Sequence, residues 1–184
     1  MTDFCIKKIQ YFVKIADQYW GSAKLLWNLG ASYPATSNLN HALELYLRAA
    51  WLTGQDFSNE EEMKQKLKKF YRNPENNKPH DFQTMFCQLP LVFRNKLEEK
   101  NVCEIITLVD SNVSKYGDSD FFAYDDEKIE NVDYLIKAIR SLLDLNLQYP
   151  KDDFEIIMTA VNLIWPNSKK EAEGAINTIL HVKK

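Results

Sequence analysis

His41, Glu44 and Arg48 stand three and four residues apart along the chain. On a helix that spacing stacks all three side chains on one face. An imidazole, a carboxylate and a guanidinium in one line could form a polar cleft that holds a phosphate or a base. The plainer alternative is a surface i,i+4 pair between Glu44 and Arg48, worth ~0.2–0.5 kcal/mol. A second cluster is basic: Lys64, Lys66, Lys68, Lys69, Arg72 and Lys78, with Phe70 and Tyr71 among them. Cations beside aromatic rings can hold single-stranded nucleic acid through phosphate contacts and base stacking. Glu60, Glu61 and Glu62 immediately upstream dilute that field, so a solvated helix face is the competing reading.

Other chemistry has less to draw on. The three histidines, His41, His80 and His181, are far apart, and no CxxC or HExxH run occurs. The acidic group Asp118, Asp120, Asp125 and Asp126 lacks the fixed glycine and distal glutamate of a calcium loop. No metal or cofactor is expected. The GxSxG, P-loop and GxGxxG patterns are absent, so no catalytic residue is assigned. Cys87 and Cys103 fall on or near apolar stripes, which predicts inert packing. Four aromatics, Tyr116, Phe121, Phe122 and Tyr124, crowd one short stretch. They must fold back onto the protein or form a contact surface.

The elements that would position these groups are helices. The chain has 184 residues, 45% apolar and 27% charged, with only five glycines and six prolines. Such scarcity of turn formers favours long helices and few loops. Ile9, Phe12, Val13, Ala16, Tyr19, Trp20, Ala23 and Leu26 recur at helical spacing and predict a helix over residues 3–30. Gly21 could bend it, and Gly30 with Pro34 should end it. A second helix starts at Thr36 or Ser37 and closes at Gly54. It is apolar almost all round and should be central. Ser58 to Glu61 reads as a capping box for a helix carrying Met63, Leu67 and Phe70. Residues 73–79 read as a loop. A third core helix begins around His80 and Asp81, and Pro90 should kink or end it. Further helices follow Val102 to Val113 and Asp126 to Leu147, with residues 114–124 as a loop. Two more helices are predicted over 150–184. The architecture expected is an all-α, up-and-down helical bundle of six to eight helices, in one domain spanning residues 1–184.

The formal net charge of −3 excludes a strongly basic surface overall but leaves room for a local patch. Three scattered cysteines argue against a disulfide framework. The N-terminal stretch lacks the features of a signal peptide, and no apolar run reaches the ~20 residues of a membrane span. A cytoplasmic protein without membrane contact is the expectation.

Residues 39–49, with Ala42, Glu44, Leu47 and Arg48 in an A-x-E-x-x-L-K-like pattern, resemble the second helix of the HEPN family, the higher-eukaryote and prokaryote nucleotide-binding domains. Ser22, Ala23, Leu25 and Leu26 resemble its first helix. His80-Asp81-Phe82 is similar to the "H-D-L" that opens the family's third helix. Lys115-Tyr116-Gly117 and the helix after it resemble the family's loop and last helix. The resemblance covers residues 11–147; residues 55–79 look like an insertion, and 150–184 like an added helical extension. HEPN ribonucleases carry an arginine with a histidine shortly after it near the last helix. None of the four arginines here, Arg48, Arg72, Arg94 and Arg140, has a histidine four to six residues on. The resemblance therefore implies the fold without the ribonuclease activity. It implies a homodimer, in a defence or toxin–antitoxin setting, that binds a nucleotide, RNA or a partner protein. His41, Glu44 and Arg48 would form the ligand site with His80, and Lys64, Lys68, Lys69 and Arg72 a nucleic-acid patch. Two alternatives stand beside it: a protein-interaction scaffold with no nucleic-acid role, and an enzyme whose site is assembled from distant residues.

Overall fold

Seven helices make up the fold, in a computed structural model that describes residues 1–72, 74, 80–97, 102–116, 118 and 120–147. They are α1 (Asp3–Asn28), α2 (Ser32–Thr53), α3 (Glu60–Phe70), α4 (Phe82–Cys87), α5 (Leu91–Leu97), α6 (Val102–Val113) and α7 (Asp126–Leu147). Among the described residues the protein is an all-α helical bundle without strands. None of these helices is long and apolar enough to cross a membrane. The helices predicted over 150–184 lie outside the described residues, as do Lys78 and Gly117.

An antiparallel hairpin of α1 and α2 is the centre of the bundle. Its turn is set by Gly30 in the left-handed region, φ 78°. The Gly30 N–H donates to the Trp27 carbonyl at 3.0 Å and the Ala31 N–H to the Leu26 carbonyl at 2.9 Å, the paired bonds of a Schellman ending. Helix α1 runs unbroken through Gly21. Helix α2 begins at Ser32, earlier than the Thr36 or Ser37 the sequence predicts. Pro34 is the reason the two differ. It falls in the first turn of α2, where its missing N–H has no helical acceptor to lose, so it is tolerated inside the helix.

Helix α2 buries Leu39, Ala42, Leu43, Tyr46, Leu47, Ala49, Ala50 and Leu52, in keeping with a central position. Helix α7 packs on it and buries Val132, Leu135, Ile136 and Ile139. A charged network pins these helices together. Arg140 of α7, 3% exposed, donates through Nε to Asp17 of α1 at 2.9 Å, and the Tyr46 hydroxyl of α2 donates to the same carboxylate at 2.5 Å. Arg140 also pairs with Asp144. Arg140 is therefore committed to the core.

Helix α3 is part of the core rather than an appendage. Trp51 stacks on Phe70 with ring centroids 4.7 Å apart and meets Phe57 at 6.0 Å, and Met63 and Leu67 are buried. Its cap lies one residue beyond the predicted box. Asn59 accepts from the Glu62 N–H at 2.9 Å, and the Glu62 carboxylate reaches back to the Ser58 N–H at 2.8 Å. Pro90 ends the third core helix, leaving the six-residue α4 before it and α5 after it. Cys87 and Cys103 are exposed, contrary to the packing expected, and only Cys5 is buried. Both lie on the solvent side of short helices whose apolar stripes are narrower than their sequence neighbours imply.

Candidate functional site

Glu44 is the anchor of the site. It is only 6% exposed, on the one polar line of an otherwise apolar helix. A carboxylate withdrawn from water is costly unless other groups take over its hydration. Two groups do so here. Arg48, one turn along α2, contacts Oε1 through Nη2. The His80 ring is 2.8 Å from Oε2 through Nδ1. Burial alone would raise the Glu44 pKa, but the His80 hydrogen bond and the charges of Arg48, His80 and His41 outweigh it, and the net shift is downward. The His80 pKa moves up, chiefly through its bond to Glu44, against the opposing effects of burial and of the Arg48 and Arg72 charges.

The approach of His80 to α2 is built by local constraints. The Asp81 N–H donates to the Tyr71 carbonyl at 3.4 Å, tying the start of α4 to the end of α3. Asp81 then caps α4, accepting from the Thr84 N–H at 2.7 Å. Asp110 of α6 accepts from the Phe82 and Gln83 N–H groups at 2.6 and 2.9 Å. The first three donors of a very short helix are thus all satisfied, which fixes an element too short to be stable alone. His80 itself sits at φ 56°, the only non-glycine residue with positive φ among those described. A side chain there carries strain that the surroundings must hold in place.

Tyr71 sits between the cations. The Arg48 guanidinium lies 4.7 Å from its ring centroid, that of Arg72 5.8 Å, and the His80 ring stacks on it at 5.8 Å. Arg48 also lies 6.0 Å from the Phe12 ring of α1, and Lys8 lies 4.7 Å from the same ring. The Lys8 pKa is lowered, by burial first and then by the positive charges of Arg48 and Lys64. These cations therefore crowd one another on the face shared by α1, α2 and α3.

Beside this group opens a cleft of about 60 Å³ lined by Asn40, His41, Glu44, His80, Phe82, Val113 and Tyr116. That volume admits a few waters or one small polar group, not a whole nucleotide. His41 stands on its rim, exposed and stacked on Tyr116 with centroids 6.2 Å apart and planes at 12°. On its other side His41 meets Tyr19 at 5.3 Å, and Tyr116 meets Phe121 at 4.9 Å. Phe121 continues to Tyr33 at 6.1 Å. Behind the rings, Asn40 donates to Asn112 at 3.2 Å and accepts from the Tyr124 hydroxyl at 2.8 Å.

The structure thus brings His41, Glu44, Arg48 and His80 to one place. The Glu44–Arg48 pair is partly buried and held by a third residue, so it is not the solvated pair of the plainer alternative. The basic patch comes together only in part. Arg72 joins the Tyr71 group, and Lys64 reaches its edge near Lys8 while paired with Glu60 at 3.0 Å. Lys66 pairs with Glu62 at 2.8 Å. Lys68 and Lys69 are exposed on the last turn of α3, Lys68 one turn on from Lys64. The aromatic loop folds back onto the bundle, with Tyr124 2% exposed and its N–H bonded to the Thr36 hydroxyl at 2.9 Å. Sequence reasoning missed Lys8 and Tyr19 as site residues, and it placed Tyr71 with the basic cluster rather than with Glu44 and Arg48. Lys8 and Tyr71 are remote from α2 in sequence. Tyr19 was predicted to be core because it fits the α1 period, but it is 37% exposed.

Searches of protein-family models, curated proteins and solved structures return no match.

Proposed function

We propose that this chain is a non-catalytic, HEPN-like binding protein that holds a nucleotide or single-stranded RNA by its phosphates, acting as a homodimer in a defence or toxin–antitoxin setting. The observation that carries the reading is the ring of cations around Tyr71. Arg48, Arg72 and His80 all stand against its ring, and Lys8 shares the Phe12 ring with Arg48. Like charges this close repel, and a bound phosphate would lower that repulsion. Arg48 in particular is oriented by Glu44 and Tyr71 before any ligand arrives, which cuts the ordering cost of binding. The cleft beside it is too small for a nucleotide, so the ligand would lie across the surface with one polar group inserted.

The test is binding of a mixed single-stranded RNA pool across a salt series, with a cleavage gel alongside. Log affinity should fall linearly with log salt at a slope of about −0.7 per phosphate contact. Arg72→Ala should weaken binding and lower that slope by about one contact. Lys68→Ala with Lys69→Ala should lower it further. Shortened RNA on the gel would overturn the non-catalytic assignment and direct attention to His80 as a base. No binding at low salt would remove the nucleic-acid reading and leave a protein partner ahead. Sedimentation of the free protein tests the homodimer.

A further inference from the structure

Five rings run in unbroken contact over the surface beside the cation group: Tyr19 of α1, His41 of α2, Tyr116 and Phe121 of the α6–α7 loop, and Tyr33 at the start of α2. Successive centroids are 5.3, 6.2, 4.9 and 6.1 Å apart. Tyr33 is 59% exposed, Tyr116 39% and Tyr19 37%. Aromatic side chains this large are ordinarily buried for the area they remove from water. Here three separate elements contribute rings to one row, exposed except at the half-buried Phe121, while their neighbours Trp20, Phe82 and Tyr124 are buried.

We infer that this row is a base-stacking platform, and that the chain takes a single-stranded nucleic acid rather than a lone nucleotide. The inference rests on the phosphate-binding reading above and extends it. His41 links the two parts: it belongs to the row and lines the cleft that also contains Glu44 and His80. Arg48 is paired with Glu44, which lines the same cleft as His41 and Tyr116, so a strand with a phosphate on Arg48 would lay its next bases toward the row. Every base has a flat face, so a row of rings accepts strands with little regard to sequence. A row of several rings is of no use to a mononucleotide, which has one base to stack. The row does not suit a membrane face, because its rings carry polar groups of their own, the Tyr hydroxyls and the His41 nitrogens.

The experiment compares three fluorescent probes by anisotropy at low salt: an oligouridine of about a dozen nucleotides, within the span such sites cover, an abasic oligomer of the same length, and uridine monophosphate. The oligouridine should bind at least about tenfold more tightly than the abasic oligomer, the scale of stacking one base on one ring. Tyr33→Ala with Tyr116→Ala should bring the oligouridine down to the abasic level, and Tyr33→Phe with Tyr116→Phe should keep wild-type affinity because the rings remain. Helical circular dichroism of each variant separates lost binding from lost fold. Equal binding of oligouridine and abasic oligomer, unmoved by the alanine pair, would overturn the platform and leave the phosphate site standing. Tight binding of the monophosphate alone would overturn the strand as ligand. A failure of all three probes to bind would overturn the phosphate reading and this inference with it. A homodimer that dissociates on the alanine substitutions, with oligouridine binding unchanged, would assign the row to the dimer interface instead.

Discussion

Replacing Glu44 by glutamine should cost stability and change how stability depends on pH. The substitution keeps shape but removes the charge that answers Arg48 and His80. Breaking a fully buried pair by neutralising one partner costs about 3–5 kcal/mol. Here the partners are not fully buried, with side-chain exposures of 18% for Arg48 and 44% for His80. Solvent screens part of the loss, so about 2–3 kcal/mol is expected. For a chain of this size that is a fall in melting temperature of about 4–12 °C. The pH signature follows from the two shifts. His80 has a folded pKa above its ordinary 6.5, so its contribution is complete below that value and vanishes as pH rises through the folded value. Glu44 has a folded pKa below its ordinary 4.5, so its contribution is present above that value and lost as pH falls through the folded one. From mildly acidic to mildly alkaline buffer, wild-type stability should therefore fall by the His80 contribution, and Glu44→Gln should lack that fall. Thermal unfolding followed by circular dichroism at both pH values reads the two effects. A melting point within a degree of wild type, or an unchanged pH slope, would refute the claim that Glu44 holds the site together.

Other parts of the fold give independent checks. Arg140→Met removes the cationic partner of the fully buried Asp17 carboxylate and should cost about 3–5 kcal/mol in urea unfolding, part of it recovered when Asp17→Leu is added. Gly54→Ala would place a Cβ 2.5 Å from the Pro90 ring, an overpacking that should cost about 1–3 kcal/mol and be relieved by Pro90→Ala. Asn59→Ala removes the cap of α3 and should lower stability by about 1 kcal/mol, measurable as a shift in the urea midpoint at constant slope.

The sequence disclosed the site's one-helix part and concealed its tertiary part. His41, Glu44 and Arg48 are legible because a polar line on an apolar helix breaks the rule that apolar faces are buried, and the helical period gives their spacing. The helices themselves are legible for the same reason, since α1, α2, α6 and α7 repeat apolar residues at three and four. His80 was a candidate, but its bond to Glu44 joins residues 36 positions apart, and no local pattern reports such a distance. Lys8 is an ordinary residue in sequence and Tyr71 is legible only as a member of the basic cluster; both join the site because α1, the end of α3 and α2 converge. The early start of α2 was concealed by Pro34, which punctuates a helix interior but is silent in a first turn. Local capping was off by one residue at α3 because Ser58 and Asn59 can both cap, and the choice depends on where Glu62 turns back.

Glu44 illustrates why the fold and the site cannot be probed with the same substitutions. Its carboxylate is part of the core by burial and part of the site by its partners. Loss of binding in a Glu44 variant would therefore follow equally from a collapsed cleft or a lost contact. Arg48 shares the difficulty, because it packs on Phe12 and Tyr71 as well as pairing with Glu44. Lys68, Lys69 and Tyr33 do not share it: the two lysines are exposed on the last turn of α3, and Tyr33 stands more than half in solvent. Surface substitutions of that kind change stability by no more than about half a kcal/mol. A tenfold change in affinity, 1.4 kcal/mol, exceeds that background. Binding measured on these residues separates function from fold, and only with that separation can a loss at Glu44 or His80 be interpreted.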